Sequence, residues 1–130
     1  MKYAKDILVP HVLRELESAA DARLRGDLEA AWHCLERAHI LSQPMAWAHT
    51  RVHLAMLALA LRTGDLRELF GQVVRLSVAA VGSAVGRFPA GNTGRARVPI
   101  AEPMSIPADL MRILDEAGAN VRNVTVWRRD

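Results

Sequence analysis

Residues 27–63, DLEAAWHCLERAHILSQPMAWAHTRVHLAMLALALRT, decide the fold of this chain. The first half has apolar residues at helical spacing, which predicts one amphipathic helix. These positions are Leu28, Ala31, Leu35 and Ala38. Asp27 can cap this helix, Pro44 interrupts the pattern, and residues 45–62 are apolar nearly all round. The stretch therefore predicts a helix hairpin whose second helix is central and buried.

The flanking segments predict one further helix on each side of this hairpin. Before it, leucines at helical spacing begin near Pro10, which suits a first helical turn, and they stop at Gly26. After it, Asp65 and Glu68 resemble a capping box that opens a fourth helix to about residue 81. The pair Gly26-Asp27 recurs as Gly64-Asp65, which suggests two tetratricopeptide-like hairpins. Two hairpins are too few for a repeat array, so we expect a compact all-α bundle.

The chain changes character after residue 81. Residues 82–107 are rich in Gly and Pro and lack periodicity, but they contain spaced apolar residues. We expect this loop to be ordered across the bundle, with Phe88 or Met104 inserted. Residues 91–94 should form a tight turn with a positive φ at Asn92 or at a flanking Gly, an interpretation favoured over a phosphate-binding loop. A short helix near residues 107–116 and a strand-like or frayed tail, residues 119–130, complete a single predicted domain, residues 1–130.

Composition limits the class of protein. The chain has 130 residues, 51% hydrophobic and 24% charged, which is typical of a globular protein. The net charge of +3 is too small, and its cations too scattered among acids, for a nucleic-acid-binding signature. Cys34 is the single cysteine, and neither a signal peptide nor a membrane span is evident. We expect a cytoplasmic protein that binds neither nucleic acid nor membrane, with a homo-oligomer or a protein partner left open.

The candidate site lies at the turn of the central hairpin. His39 lies on the helix before this turn, and His49 and His53 lie four apart on the helix after it. Antiparallel pairing should bring the three imidazoles to one seam, with Glu36 near His53. Imidazoles and a carboxylate are ligands for a divalent transition metal, zinc or iron. The second Glu-x-x-His of a di-iron centre is missing, so we expect one metal bound by His39, His49, His53 and Glu36.

A second hypothesis explains the same histidines without a metal. Buried neutral histidines are tolerated when each ring nitrogen has a hydrogen-bond partner, and Glu36 could provide one. The chain would then be a tetratricopeptide-like interaction module or a homodimer whose histidines are structural. No pair of nucleophile and base identifies a reaction, so the sequence leaves open whether the protein is an enzyme.

Several motifs together resemble the small bacterial domain-of-unknown-function family 3703. They are Glu36-Arg37-Ala38-His39, His49 with His53, Gly71-Gln72, and the run from Gly86 to Gly94 that ends in Gly-Asn-Thr-Gly. The resemblance covers roughly residues 10–115. It implies a family label but no established activity and no catalytic residue.

Overall fold

The described part of the chain forms five α-helices in a computed structural model. The structure describes residues 4–85, 87–100, 102–119 and 121, and these residues contain no β-strand. The helices are α1 (Lys5–Leu24), α2 (Leu28–Ser42), α3 (Ala46–Thr63), α4 (Leu66–Ala84) and α5 (Ala108–Glu116). The predicted all-α class is confirmed, whereas the predicted tail lies almost wholly outside the described residues.

Capping contacts fix three of the helix boundaries where the sequence predicted them. Asp27 Oδ1 accepts from the Ala30 backbone N–H at 3.0 Å and begins α2. Asp65 Oδ1 accepts from the Glu68 N–H at 3.0 Å and begins α4. α3 ends at Thr63 and is capped by Gly64, whose φ of +68° is the left-handed conformation common after a helix.

The predicted start of α1 was wrong, because this helix begins at Lys5 and contains Pro10 in its interior. The additional turn carries Leu8, which is fully buried in the core, and this burial compensates for the hydrogen bond lost at Pro10. The backbone N–H of Ala4 also donates to the carbonyl of Ala117 at 2.8 Å. The N-terminal turn of α1 is therefore held against the end of α5.

Packing arranges the helices as two hairpins that meet along α2 and α3. α1 packs on α2, α4 packs on α3, and α5 contacts α1 and α2. Leu41, Val52 and Met56 are fully buried between these layers. α3 is central, but it is not buried all round as its composition suggested, because Trp47, Leu54 and Leu61 are exposed along its outer face. No helix among the described residues is long and apolar enough to cross a membrane.

The loop between α4 and α5 packs across the bundle as predicted. Phe88 is inserted into the core, whereas Met104 is 39% exposed. Gln43, in the turn between α2 and α3, anchors the loop because its amide donates to the Pro89 carbonyl and accepts from the Gly91 N–H. Gly91 and Gly94 have positive φ, as predicted for this turn. The turn is thereby held beside the end of α2 that carries His39.

Candidate metal centre

Three buried histidines meet between α2, α3 and the loop. His39 comes from the last turn of α2, and His49 and His53 come from successive turns of α3. Each of the three side chains is at most 5% exposed. The predicted convergence of these three residues on one seam is confirmed.

The three Nε2 atoms form a nearly equilateral triangle. The His39–His49 distance is 2.9 Å, the His39–His53 distance is 3.1 Å, and the His49–His53 distance is 3.2 Å. The His39 ring is inclined by 70° and 73° to the other two rings, and the His49 and His53 rings are tilted by 38° to each other, so no pair is stacked in parallel. All three nitrogens therefore point toward one small volume.

The loop determines which nitrogen of His39 carries the proton. Its Nδ1 lies 2.7 Å from the backbone oxygen of Asn92, which can only accept a hydrogen bond. The Nδ1 atom must therefore be protonated. In a neutral ring the Nε2 atom is then unprotonated, and its lone pair is directed at the other two histidines.

Gln72 of α4 has the same effect on His53. The Gln72 amide nitrogen donates to Glu68 Oε2 at 3.2 Å and to the Gly94 carbonyl at 2.9 Å. These two acceptors fix the amide orientation, so the atom 2.7 Å from His53 Nδ1 is the acceptor Oε1. His53 is thus protonated on Nδ1, and the lone pair of its Nε2 atom is also directed at the centre of the histidine triangle.

Two lone pairs therefore face each other at the 3.1 Å contact between His39 and His53. If His49 is protonated on Nε2, it can donate a hydrogen bond to the Nε2 atom of His39 or of His53. That proton does not lie between His39 and His53, so the two lone pairs there still face each other. A buried arrangement of converging acceptors is unfavourable unless a positive charge lies among them. The hydrogen bonds to Asn92 and Gln72 thus preorganise the Nε2 atoms of His39 and His53 for a cation.

An additional proton is a poor candidate for this cation near neutral pH. Burial lowers the pKa of His39 well below its usual value, and the neighbouring His49 and His53 lower it further. Burial likewise lowers the pKa of His53 to about 4, although its hydrogen bond to Gln72 opposes this shift. His39 and His53 are consequently neutral at pH 7 in the metal-free protein.

These shifts predict that the metal-free protein loses stability in mild acid. Unfolded histidine has a pKa of about 6.5. His53 has a folded pKa of about 4, so below pH 6.5 the unfolded chain binds the proton that the folded chain excludes. From the His53 shift we expect the free energy of unfolding to fall by about 2 kcal/mol between pH 7 and pH 5. His39 adds to this loss, and urea unfolding in the presence of a chelator measures it. A constant unfolding free energy over this interval would contradict the prediction.

Glu36, the fourth predicted ligand, has a different partner in the structure. Its Oε1 accepts from Arg95 Nη1 at 3.1 Å, and its side chain is 25% exposed. Among the described residues, the group whose ligand atoms lie within 4.8 Å of one another consists of the three histidines. Glu36 lines a surface pocket beside Trp32 and Arg95 instead.

Arg95 holds the loop in place over the cluster. Its guanidinium lies 4.0 Å above the Trp32 ring, and its Nε donates to the buried carboxylate of Glu68 at 2.6 Å. Together with the Glu36 contact, these interactions connect the loop to both α2 and α4. Gly94, the preceding residue, lies directly against the His39 ring. The loop therefore closes the histidine cluster from water.

Sequence reasoning missed the residues that orient the histidines. Gln72 and Glu68 are one turn apart on α4, and both are almost completely buried. Glu68, Gln72 and Arg75 recur at helical spacing on the face of α4 opposite its large apolar residues, and this polar stripe was the signal that could have identified them. Asn92 was placed in a turn, but its backbone contact with His39 depends on loop geometry that the sequence pattern does not determine.

The cluster fits a transition metal. An ion about 2.0–2.1 Å from imidazole nitrogens, the usual bond length for zinc, can reach all three Nε2 atoms of a triangle this small. A metal-binding histidine typically has its other ring nitrogen protonated and hydrogen-bonded to an acceptor. Nδ1 of His39 has this contact with the Asn92 carbonyl, and Nδ1 of His53 has it with the Gln72 amide oxygen. The buried Glu68 carboxylate, linked to His53 through Gln72, adds negative charge near the site.

Fold and site together define an all-α hairpin protein with a buried three-histidine centre. Comparison with protein families gives a match over residues 7–114 to the family described as "Protein of unknown function (DUF3703)", and the chain belongs to this family. No curated protein and no solved structure matches the chain. The predicted family resemblance is confirmed, and it carries no established activity.

Proposed function

We propose that this protein binds one divalent transition metal ion through Nε2 of His39, His49 and His53. The observation that carries the proposal is the pair of Nε2 lone pairs held 3.1 Å apart in His39 and His53. The Asn92 carbonyl and the Gln72 amide oxygen impose this orientation. A bound cation converts the repulsion among these nitrogens into coordination.

The ligand set favours zinc over iron. Imidazoles suit both metals, but mononuclear non-haem iron sites typically include a carboxylate ligand. The only carboxylate predicted as a ligand, Glu36, is paired with Arg95. We propose that Glu36 acts indirectly, by holding Arg95 and the loop in place, and that the histidines alone supply the protein ligands.

The depth of the site favours binding or sensing of the metal over catalysis. With histidines at most 5% exposed, a substrate reaches the metal only if the loop over residues 87–100 moves. Three histidines with a fourth position for water also describe many catalytic zinc sites. We propose that the protein binds or senses the metal in the cytoplasm.

Elemental analysis and calorimetric titration of the untagged protein test this proposal. We expect purified protein to contain zinc, and chelator-treated protein to bind one zinc ion per chain. Because zinc binds only the folded state, a hundredfold excess over its dissociation constant should stabilise the fold by about 2.7 kcal/mol. Zinc content below about a tenth of an equivalent, together with no heat of binding for zinc, cobalt or nickel, would exclude the metal site.

The rival hypothesis is that the histidines only pack within an interaction module. One observation favours a protein contact: α4 exposes a row of large apolar side chains. This row and the histidines are separate features, so a docking role and a metal site are compatible. Absence of metal binding by the histidine cluster would favour the rival hypothesis over the metal site.

A further inference from the structure

α4 has two faces of opposite character. Glu68, Gln72 and Arg75 are buried on the face turned to the loop and the histidines. The other face carries seven exposed large apolar residues, which we call the α4 stripe. They are Leu66, Phe70, Val73, Val74, Val78, Val81 and, just beyond the helix, Val85. At 100° per residue they span an arc of about 140°, as wide as the buried face of an ordinary amphipathic helix.

The area of the α4 stripe matches one half of a stable dimer interface. Its seven residues are 43–75% exposed, which corresponds to a total exposed area of roughly 700 Å². The largest apolar patch on a typical monomer is about 300–600 Å². A standard interface buries about 800 Å² on each partner. Among the helices, α4 packs mainly on α3, so its outer face is not covered by the rest of the bundle.

The charge pattern favours an apolar partner over a charged one. Arg67, at the start of α4, is an exposed charged residue, and from Val73 to Val85 the exposed positions carry no charge. From Val73 to Val85, α4 itself offers no charge to an acidic peptide, a nucleic acid or an anionic membrane. The arginines beside the stripe, Arg67 and Arg97 of the loop, lie toward its N-terminal end, near Phe70 and Val74. The α4 stripe of a second copy of the chain is an equally apolar partner, and it is available wherever the protein is made.

The shape of the α4 stripe is self-complementary in one orientation. Its large residues, Leu66 and Phe70, lie at the N-terminal end, whereas smaller valines occupy the C-terminal end. In an antiparallel pair the large end of each helix faces the small end of the other, as a two-fold symmetric interface requires. This arrangement also places the two copies of Arg67 at opposite ends.

We propose that the protein is a homodimer in which two α4 stripes pack antiparallel around a two-fold axis near Ser77. This interface is independent of the proposed metal site, because it uses the face of α4 opposite Gln72. The histidine clusters of the two chains remain separate, one on the inner side of each α4.

Sedimentation of the full chain tests the dimer. We expect the wild type to have twice the chain mass of 14.3 kDa. Val78→Glu and Val81→Glu should sediment as monomers with unchanged helical circular dichroism. The matched control is Leu24→Glu on α1, because Leu24 is 73% exposed and Val81 is 65% exposed. This control should remain a dimer. A wild-type monomer at tens of micromolar, or dimers of both Val variants, would overturn the proposal.

Cysteine crosslinking tests the orientation in a Cys34→Ser background. Ser77→Cys lies near the axis and should form an intermolecular disulfide, since a disulfide needs Cα atoms within about 7 Å. In an antiparallel pair Leu66→Cys is about 30 Å from its own copy at 1.5 Å per residue and should not crosslink. Crosslinking of Leu66→Cys, or none at Ser77→Cys, would refute the antiparallel pair. A wild-type monomer that dimerises only when residues 122–130 are deleted would show that the chain's own tail covers the stripe.

Discussion

With His49 and His53 both replaced by Ala, the zinc affinity of the chain is expected to fall by at least about 1,000-fold, since loss of only the hydrogen-bond partner of a metal-binding residue typically costs 10- to 100-fold. The double variant removes two of the three Nε2 atoms and leaves His39 as the one histidine at the centre. A single imidazole cannot hold zinc at micromolar concentration. Calorimetric titration of the chelator-treated variant measures the change.

The double substitution should also separate the metal role from a packing role. Loss of two buried side chains lowers the free energy of unfolding by about 1–3 kcal/mol under either hypothesis. Only a metal site predicts that zinc raises the unfolding temperature of the wild type and leaves that of the variant unchanged.

The matched control replaces the two histidines outside the cluster, His11 and His33. His33 is exposed, and His11 contacts Arg14 at the surface of α1. We expect this control to bind zinc with wild-type affinity and stoichiometry. Equal zinc binding by the wild type and the His49→Ala, His53→Ala variant would show that the cluster is not the site.

The hairpin and its three histidines were predictable because they depend on local spacing. His49 and His53 are four residues apart, so a helix places them on one face whatever surrounds it. His39 meets them because the turn at residues 43–45 is short and reverses the chain. Predicting these contacts required only the helical period and the break in the helical pattern at Pro44.

The rest of the site depends on contacts between distant parts of the chain. Glu36 was expected at the metal because it lies one turn from His39, but the loop brings Arg95 to it from 59 positions away. Gln72 reaches His53 only because α4 packs on α3 with one particular rotation. Sequence spacing within one helix does not determine which polar residue of another helix will be opposite. The convergence of the three histidines on one hairpin was therefore predictable, whereas their hydrogen-bond partners were not.

A Gly94→Ala chain is expected to bind zinc about 100-fold more weakly and to lose about 2–4 kcal/mol of stability, because it combines strained backbone with a clash in a buried site. Gly94 has a φ of +80°, and a Cβ there would lie 2.6 Å from Cδ2 and 2.8 Å from Nε2 of His39. The ring must move, yet its Nδ1 is held by Asn92. The Gly94 carbonyl also accepts from Gln72, which orients His53. One methyl group therefore disturbs two of the three ligands.

Gly64→Ala separates the steric effect from the cost of the backbone conformation. Gly64 has a similar φ of +68°, but a Cβ there meets nothing within 4 Å. This control should lose only about 1–2 kcal/mol, the cost of the left-handed conformation, and should bind zinc like the wild type. Urea unfolding and calorimetric titration of both variants compare the two effects. Wild-type zinc affinity in Gly94→Ala would mean that the loop does not hold the histidines, and that their convergence arises within the α2–α3 hairpin alone.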